Sequence, residues 1–200
     1  MLRTFIAIEL DDELCTNLGR IQDRLRSRIS PGSVRWVGLE GIHLTLKFLG
    51  DTTEAQAEQV NAALARAAAA VEPFSFSVGS LGCFPNTRQP RVVWVGVQES
   101  TGALARLHRA VEAEVSPLGF PTERRGFSPH LTLGRVGQRA TKSEVREVGE
   151  VVEASKLGIV DTMDVTHVAY IKSDLRPNGA VYTTLANVVL GSVPGALKRA

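Results

Sequence analysis

One tetrapeptide occurs twice in this 200-residue chain, as His43-Leu44-Thr45-Leu46 and as His130-Leu131-Thr132-Leu133. Each copy follows an apolar, strand-like segment at the same distance. His43 lies 38 positions after Phe5, and His130 lies 38 positions after Val92. A repeated motif at a repeated offset predicts an internal duplication, and it restricts the chain to folds that can accommodate two similar halves.

The hydrophobic pattern around the motifs is typical of an α+β protein. Apolar residues three and four apart predict helices, and alternating or β-branched apolar runs predict strands. Each half then reads strand, helix, histidine strand, helix, strand, with residues 1–90 and 91–200 as the halves of one domain. Strands are predicted at 5–10, 43–49, 74–78, 92–97, 130–136, 162–171 and 181–190, and helices at 11–29, 53–71, 101–118 and 141–152.

The duplicated motif suits acid–base chemistry on a phosphate. Side chains alternate along a strand, so His43 shares a face with Thr45, and His130 shares one with Thr132. Pairing of the halves about a pseudo-twofold axis could bring both faces together. Histidine has an ordinary pKa near 6.5, so one neutral and one protonated ring can coexist near neutral pH. The threonine hydroxyls could donate hydrogen bonds to phosphate oxygens.

Other chemistries find less support in the sequence. Neither motif strand carries an acidic partner or the spacing of a metal site, so no metal and no cofactor are expected. His108 and His167 lack the motif context and are interpreted as structural. Cys15 and Cys83 are expected to be reduced thiols. No stretch has the length of a membrane span or the form of a signal peptide, which predicts a cytoplasmic protein without a membrane partner.

Taken together, these residues resemble the 2H phosphoesterases, a family defined by paired HxTx motifs, and within it the RNA 2′,3′-cyclic phosphodiesterases, also called 2′-5′ RNA ligase-like proteins. The resemblance covers essentially the whole chain. It rests on both HxTx motifs and on the segments 5–8, Trp36, 47–50, 81–85, Arg91, 127–129 and 134–136.

The resemblance implies a bilobal duplicated α+β fold, in which two antiparallel sheets flanked by helices enclose a central cleft. It implies hydrolysis of RNA 2′,3′-cyclic phosphate ends to 2′-phosphomonoesters, with His43 as proton donor and His130 as proton acceptor. Thr45, Thr132 and Arg135 would bind the phosphate. Strict alternation places Arg135 on the opposite face, so either the strand ends or bulges near Gly134, or Arg135 is only a surface cation.

Further residues are weaker candidates for the cleft. By strand parity, Lys47 is expected at the cleft rim and Phe48 in the core. Phe84, Phe127 and Tyr170 are candidates for stacking on a nucleobase, since a base–aromatic stack is worth roughly 1–3 kcal/mol.

Alternatives remain open at this level. The same mechanism could act on 2′-5′ linked oligonucleotides or small cyclic nucleotides, or run in reverse as 2′-5′ RNA ligation. A non-catalytic module that binds RNA ends is the alternative from another class. The expected partner is RNA with a 2′,3′-cyclic phosphate end, tRNA-like or other, or a cyclic nucleotide, and the chain is expected to be a monomer.

Overall fold

The computed structural model describes residues 1–123, 126–176 and 179–191. Within these residues there are four α-helices: α1 (Asp12–Arg26), α2 (Glu54–Ala69), α3 (Ala103–Val115) and α4 (Lys142–Ala154). The strands are β1 (Leu2–Glu9), β2 (Val34–Trp36), β3 (His43–Thr52), β4 (Phe74–Phe84), β5 (Val92–Gln98), β6 (His130–Val136), β7 (Ile159–Val165), β8 (His167–Arg176) and β9 (Gly179–Val189). No helix in these ranges is long and apolar enough to cross a membrane.

Local capping chemistry explains where three of the helices begin. The Asp11 side chain accepts a hydrogen bond from the Leu14 amide at 2.8 Å and caps α1. Thr53 and Thr141 each form a capping box at the start of α2 and α4, in which side chain and backbone of two residues bond reciprocally. These caps satisfy amides that have no partner inside a helix. The four predicted helices are therefore confirmed, with their ends shifted by a few residues.

The strands form two antiparallel sheets. The first has the order β3-β1-β8-β9 and the second has the order β2-β6-β5-β4-β7. In each sheet the histidine strand is next to the first strand of its own half: β3 is next to β1, and β6 is next to β5. The third neighbour comes from the other half of the sequence, because β8 joins the first sheet and β4 joins the second. Each lobe is thus built from both halves of the chain.

The helices and the inner faces of both sheets enclose one main core. Its fully buried members include Ile6, Leu44, Val93 and Leu131, which lie on neighbouring strands of the two sheets. The opposite face of each sheet carries the motif histidine, and we call these two surfaces the motif faces. A second, small apolar cluster covers the motif face of the first sheet. Alternation along the strands thus points the motif leucines into the core and the histidines away from it.

Two features of the sheets differ from the sequence prediction. The single strand expected over residues 162–171 is two strands, β7 in the second sheet and β8 in the first, which separate at Thr166. The apolar pattern runs through this residue without a glycine or proline, so it gives no sign of the break. The short edge strand β2 was also missed, because three residues are too few to show a periodicity.

Candidate active site

His43 begins β3, at the edge of the first sheet. Its ring stacks on Phe5 with 4.6 Å between centroids, and the ring of Tyr182 meets it edge-on at 5.2 Å. Burial among these rings lowers the pKa of His43 to about 4, and a hydrogen bond to the Gly41 backbone partly opposes that shift. In the ligand-free protein the His43 imidazole is therefore neutral at pH 7.

His130 begins β6 and occupies the corresponding place in the second sheet. Its Nδ1 lies 2.7 Å from the carbonyl oxygen of Ser128. A carbonyl only accepts, so Nδ1 carries the proton and Nε2 of the neutral ring keeps its lone pair. Phe84 meets the ring edge-on at 4.8 Å. Each motif histidine is thus anchored to the backbone two residues before it, Gly41 in one half and Ser128 in the other.

A bulge interrupts both motif strands at the same place. In β3, Thr45 pairs with Ala7 but Lys47 pairs with Ile6, so Leu46 is the extra residue. In β6, Thr132 pairs with Trp94 but Gly134 pairs with Val93, so Leu133 is the extra residue. A bulge reverses the alternation of the residues that follow. In both halves, the residues after the bulge therefore lie on the face opposite to the one that strict alternation predicts.

The bulge decides where Arg135 lies. It is exposed, and its position after Leu133 returns it to the motif face that carries His130 and Thr132. The sequence left this placement open between a bulge and an outward-facing cation, and the register shows the bulge. The Leu133 carbonyl is held by the amide of Val37 and by the buried side chain of Gln22, at 2.9 Å each.

The bulge at Leu46 in β3 overturns two sequence predictions in the first half. Lys47 does not lie at the cleft rim: its side chain is 2% exposed, and Nζ lies 2.8 Å from Glu112 Oε1. Phe48 is not in the core: it is 59% exposed and lies 6.0 Å, centroid to centroid, from Phe5 on the motif face. Strict alternation predicts the opposite for both, and a bulge has no reliable sequence signal when it falls within an apolar run.

The two motif threonines are half-buried on the motif faces, Thr45 on β3 and Thr132 on β6. Within the described residues neither hydroxyl has a hydrogen-bond partner, so both are free to bind a ligand. The two strands that carry them are in contact across the boundary between the sheets.

The three aromatic candidates have different surroundings. Phe84 lies against His130, as described above. Phe127 is half-buried, and one face of its ring is covered by His108 at 4.1 Å. Tyr170 is completely buried, and its hydroxyl donates to Thr4 Oγ1 at 3.3 Å, so it cannot stack on a nucleobase. The prediction for Tyr170 is therefore wrong, because its parity on β8 places it on the core face.

The two cysteines and His167 lie outside the two motifs. Cys15 and Cys83 are free thiols, and burial raises the pKa of Cys83 to about 11. His167 is exposed and bonds to its neighbour Thr166. Across residues 1–123, 126–176 and 179–191, no three His, Cys, Asp or Glu side chains are grouped so that they could hold a metal ion.

The chain is similar to known proteins along most of its length. The family model described as LigT like Phosphoesterase matches at residues 8–94 and at residues 95–182, that is, in two consecutive halves. An RNA 2′,3′-cyclic phosphodiesterase of Methanothermobacter thermautotrophicus is 36% identical over 185 residues, which cover 92% of this chain and 96% of that protein. One of Thermotoga maritima is 33% identical, with coverage of 92% and 93%.

Solved structures agree with this similarity. The crystal structure of TT0787 of Thermus thermophilus superimposes with a TM-score of 0.78 at 28% identity and covers 94% of this chain and 98% of its own. LigT of E. coli, crystallised with 3′-AMP, superimposes with a TM-score of 0.75 at 23% identity and the same coverage. The two-sheet duplicated fold is therefore confirmed.

Proposed function

The chain belongs to the LigT-like phosphoesterase family, and from this premise we propose that it hydrolyses RNA 2′,3′-cyclic phosphate ends to 2′-phosphomonoesters. The matched surroundings of His43 and His130 are the observation that carries the proposal. Each histidine is the first residue of a motif strand, and its ring bonds to the backbone of the residue two positions earlier. Each ring also shares its strand face with a threonine hydroxyl that has no hydrogen-bond partner within the described residues. The strands β3 and β6 are in contact, which is what two groups acting on one phosphorus require.

The reaction needs one acid and one base. Nε2 of His130 takes a proton from water, whose oxygen attacks phosphorus and forms the new P–O bond. The bond from phosphorus to the ribose 3′ oxygen breaks, and His43 protonates that oxygen as it leaves. The phosphate remains on the 2′ oxygen. Thr45 and Thr132 donate hydrogen bonds to the non-bridging oxygens, and Arg135 adds positive charge beside them.

The low pKa of His43 has a consequence for this assignment. A donor must carry a proton, yet burial lowers the pKa of His43 to about 4 in the free protein. A bound anion beside an imidazole favours its charged form and raises the pKa. The negative charge of the bound cyclic phosphate therefore raises the pKa of His43, and the ring takes up a proton as the substrate binds.

We also propose that the reaction takes place in the cytoplasm without a metal ion, since the two imidazoles supply both proton transfers and the thiols of Cys15 and Cys83 stay reduced there. Ligation of 2′-5′ RNA ends would be the reverse use of the same site, and its demonstration requires a separate assay.

Incubation with 2′,3′-cyclic AMP in the presence of EDTA tests the proposal. The expected product is 2′-AMP, because the bond to the 3′ oxygen breaks, and chromatography against 2′-AMP and 3′-AMP standards identifies it. A parallel incubation with a 2′-5′ linked dinucleotide distinguishes the alternative substrate. Recovery of both compounds unchanged would reject the proposed hydrolysis and favour the alternative, a non-catalytic module that binds RNA ends.

A further inference from the structure

Two arginines lie directly opposite each other on neighbouring strands of the second sheet. Arg35 on the edge strand β2 is the register partner of Arg135 on β6. The flanking pairs, Val34 with Val136 and Trp36 with Gly134, pack against the core side. Arg35 and Arg135 therefore both project from the motif face, and both are exposed.

This arrangement is unfavourable in the absence of a ligand. Side chains directly opposite in an antiparallel pair have Cβ atoms roughly 4.5–5.5 Å apart, and like charges at that spacing destabilise the pair. Within the described residues, neither guanidinium has an ion pair or a hydrogen bond. Two cations held together, with no counter-ion in the part of the chain that the structure describes, form a suitable site for an anion.

The position of the pair identifies the anion. Arg135 lies beyond Thr132 on the same face, separated by the bulge, and Arg35 lies one strand further out, at the sheet edge. Positive charge thus leads from His130 to the open edge of β2. An RNA whose cyclic phosphate is bound between the histidines carries a phosphodiester one nucleotide earlier, whereas a mononucleotide carries none.

We propose that Arg35, next to Arg135 at the cyclic phosphate, binds the phosphodiester that precedes the cyclic end of an RNA strand. This inference rests on the proposed function and adds a specificity residue to it. The planar guanidinium of Arg35 bonds to two phosphate oxygens at once. Arg35 therefore makes the protein prefer an oligonucleotide end to a cyclic mononucleotide.

The test compares two substrates, 2′,3′-cyclic AMP and an oligoadenylate that ends in a 2′,3′-cyclic phosphate. For Arg35→Gln, kcat/KM is expected to fall about tenfold on the oligonucleotide and less than about twofold on the mononucleotide, since one charged hydrogen-bonding group is lost. The slope of log kcat/KM against log salt for the oligonucleotide becomes shallower by about 0.7, the value for one phosphate contact to a single strand. Arg35→Lys restores that slope but only part of the rate.

Arg20→Gln is the matched control, because it removes the same charge from an exposed position on α1, where the guanidinium bonds only to Asn17 among the residues described. It should leave both substrates unaffected. Equal losses on the two substrates, or no loss on either, would overturn the role of Arg35. Thermal unfolding of each variant excludes a folding defect as the cause of a loss. If the unaltered protein turns over neither substrate, it is the proposed function that fails.

Discussion

Replacing His130 with alanine is expected to lower kcat/KM on 2′,3′-cyclic AMP by about 10²–10⁴-fold, and replacing His43 should cause a loss of the same size. His130→Ala removes the Nε2 that accepts the proton of the attacking water. His43→Ala removes the group that protonates the leaving oxygen. Each change corresponds to roughly 3–5.5 kcal/mol of activation free energy. Initial rates at low substrate concentration give kcat/KM directly.

The double variant sharpens this prediction. Groups that act together on one phosphorus are non-additive, so the two changes combined should cost far less than the product of the single losses. His167→Ala is the control, because this exposed imidazole lies in neither motif and, within the described residues, bonds only to Thr166. Wild-type rates in both single variants would reject two-histidine catalysis. Because His43 also stacks on Phe5, thermal unfolding of its variant must be measured in parallel.

The second large effect concerns stability and involves the buried ion pair of Lys47 and Glu112. Its side chains are 2% and 7% exposed, and Lys47 Nζ also donates to the Pro121 carbonyl at 2.7 Å. Removing one partner leaves the other charge buried without its ion-pair partner. Lys47→Met and Glu112→Leu are each expected to lower the free energy of unfolding by about 3–5 kcal/mol. Urea unfolding followed by circular dichroism measures this loss.

Combining the two changes should restore much of the stability, because an apolar pair of similar volume removes both buried charges at once. The exposed pair of Arg146 and Glu150 is the control, with side chains 75% and 68% exposed. Its loss through Glu150→Gln should change the free energy of unfolding by at most about 1 kcal/mol. If the buried single variants were as stable as this control, the Lys47–Glu112 pair would not be structural.

The features that the sequence predicted well are those encoded locally. The helices follow from apolar periodicity and from caps such as Asp11, Thr53 and Thr141. The motif strands β3 and β6 follow from alternation, and the strand β6 has the predicted ends. The duplication is visible because both motifs lie at the same offset from an apolar strand.

The features that the sequence could not predict depend on pairing between distant strands. The exchange of β4 and β8 between the sheets leaves no local pattern, because each strand reads as a half-buried strand in either sheet. The bulge at Leu46 is also set by the partner strand. Its effect is large, since it turns Lys47 into the core and Phe48 outward.

The faces on which the motif-strand side chains lie were therefore predicted correctly only before the bulges. Up to Thr45 and Thr132 the alternation holds, and the structure places His43 and His130 on the motif faces as expected. After the bulge at Leu46, Lys47 lies on the core face, opposite to the face that alternation predicts. The prediction for Tyr170 failed for another reason. Its ring lies on the core face of β8, which packs against α2, and an aromatic side chain gives no indication of its face.

Both imidazoles are expected to contact the same phosphate. The most direct test is a titration of the histidine-labelled protein with 2′-AMP, followed by NMR of the ring signals. The signals of His43 and His130 should move together with one dissociation constant, and the pKa of His43 should rise from about 4 as the anion binds. If the His43 signal does not respond to the ligand, or responds with a dissociation constant different from that of His130, the two imidazoles do not contact the same phosphate.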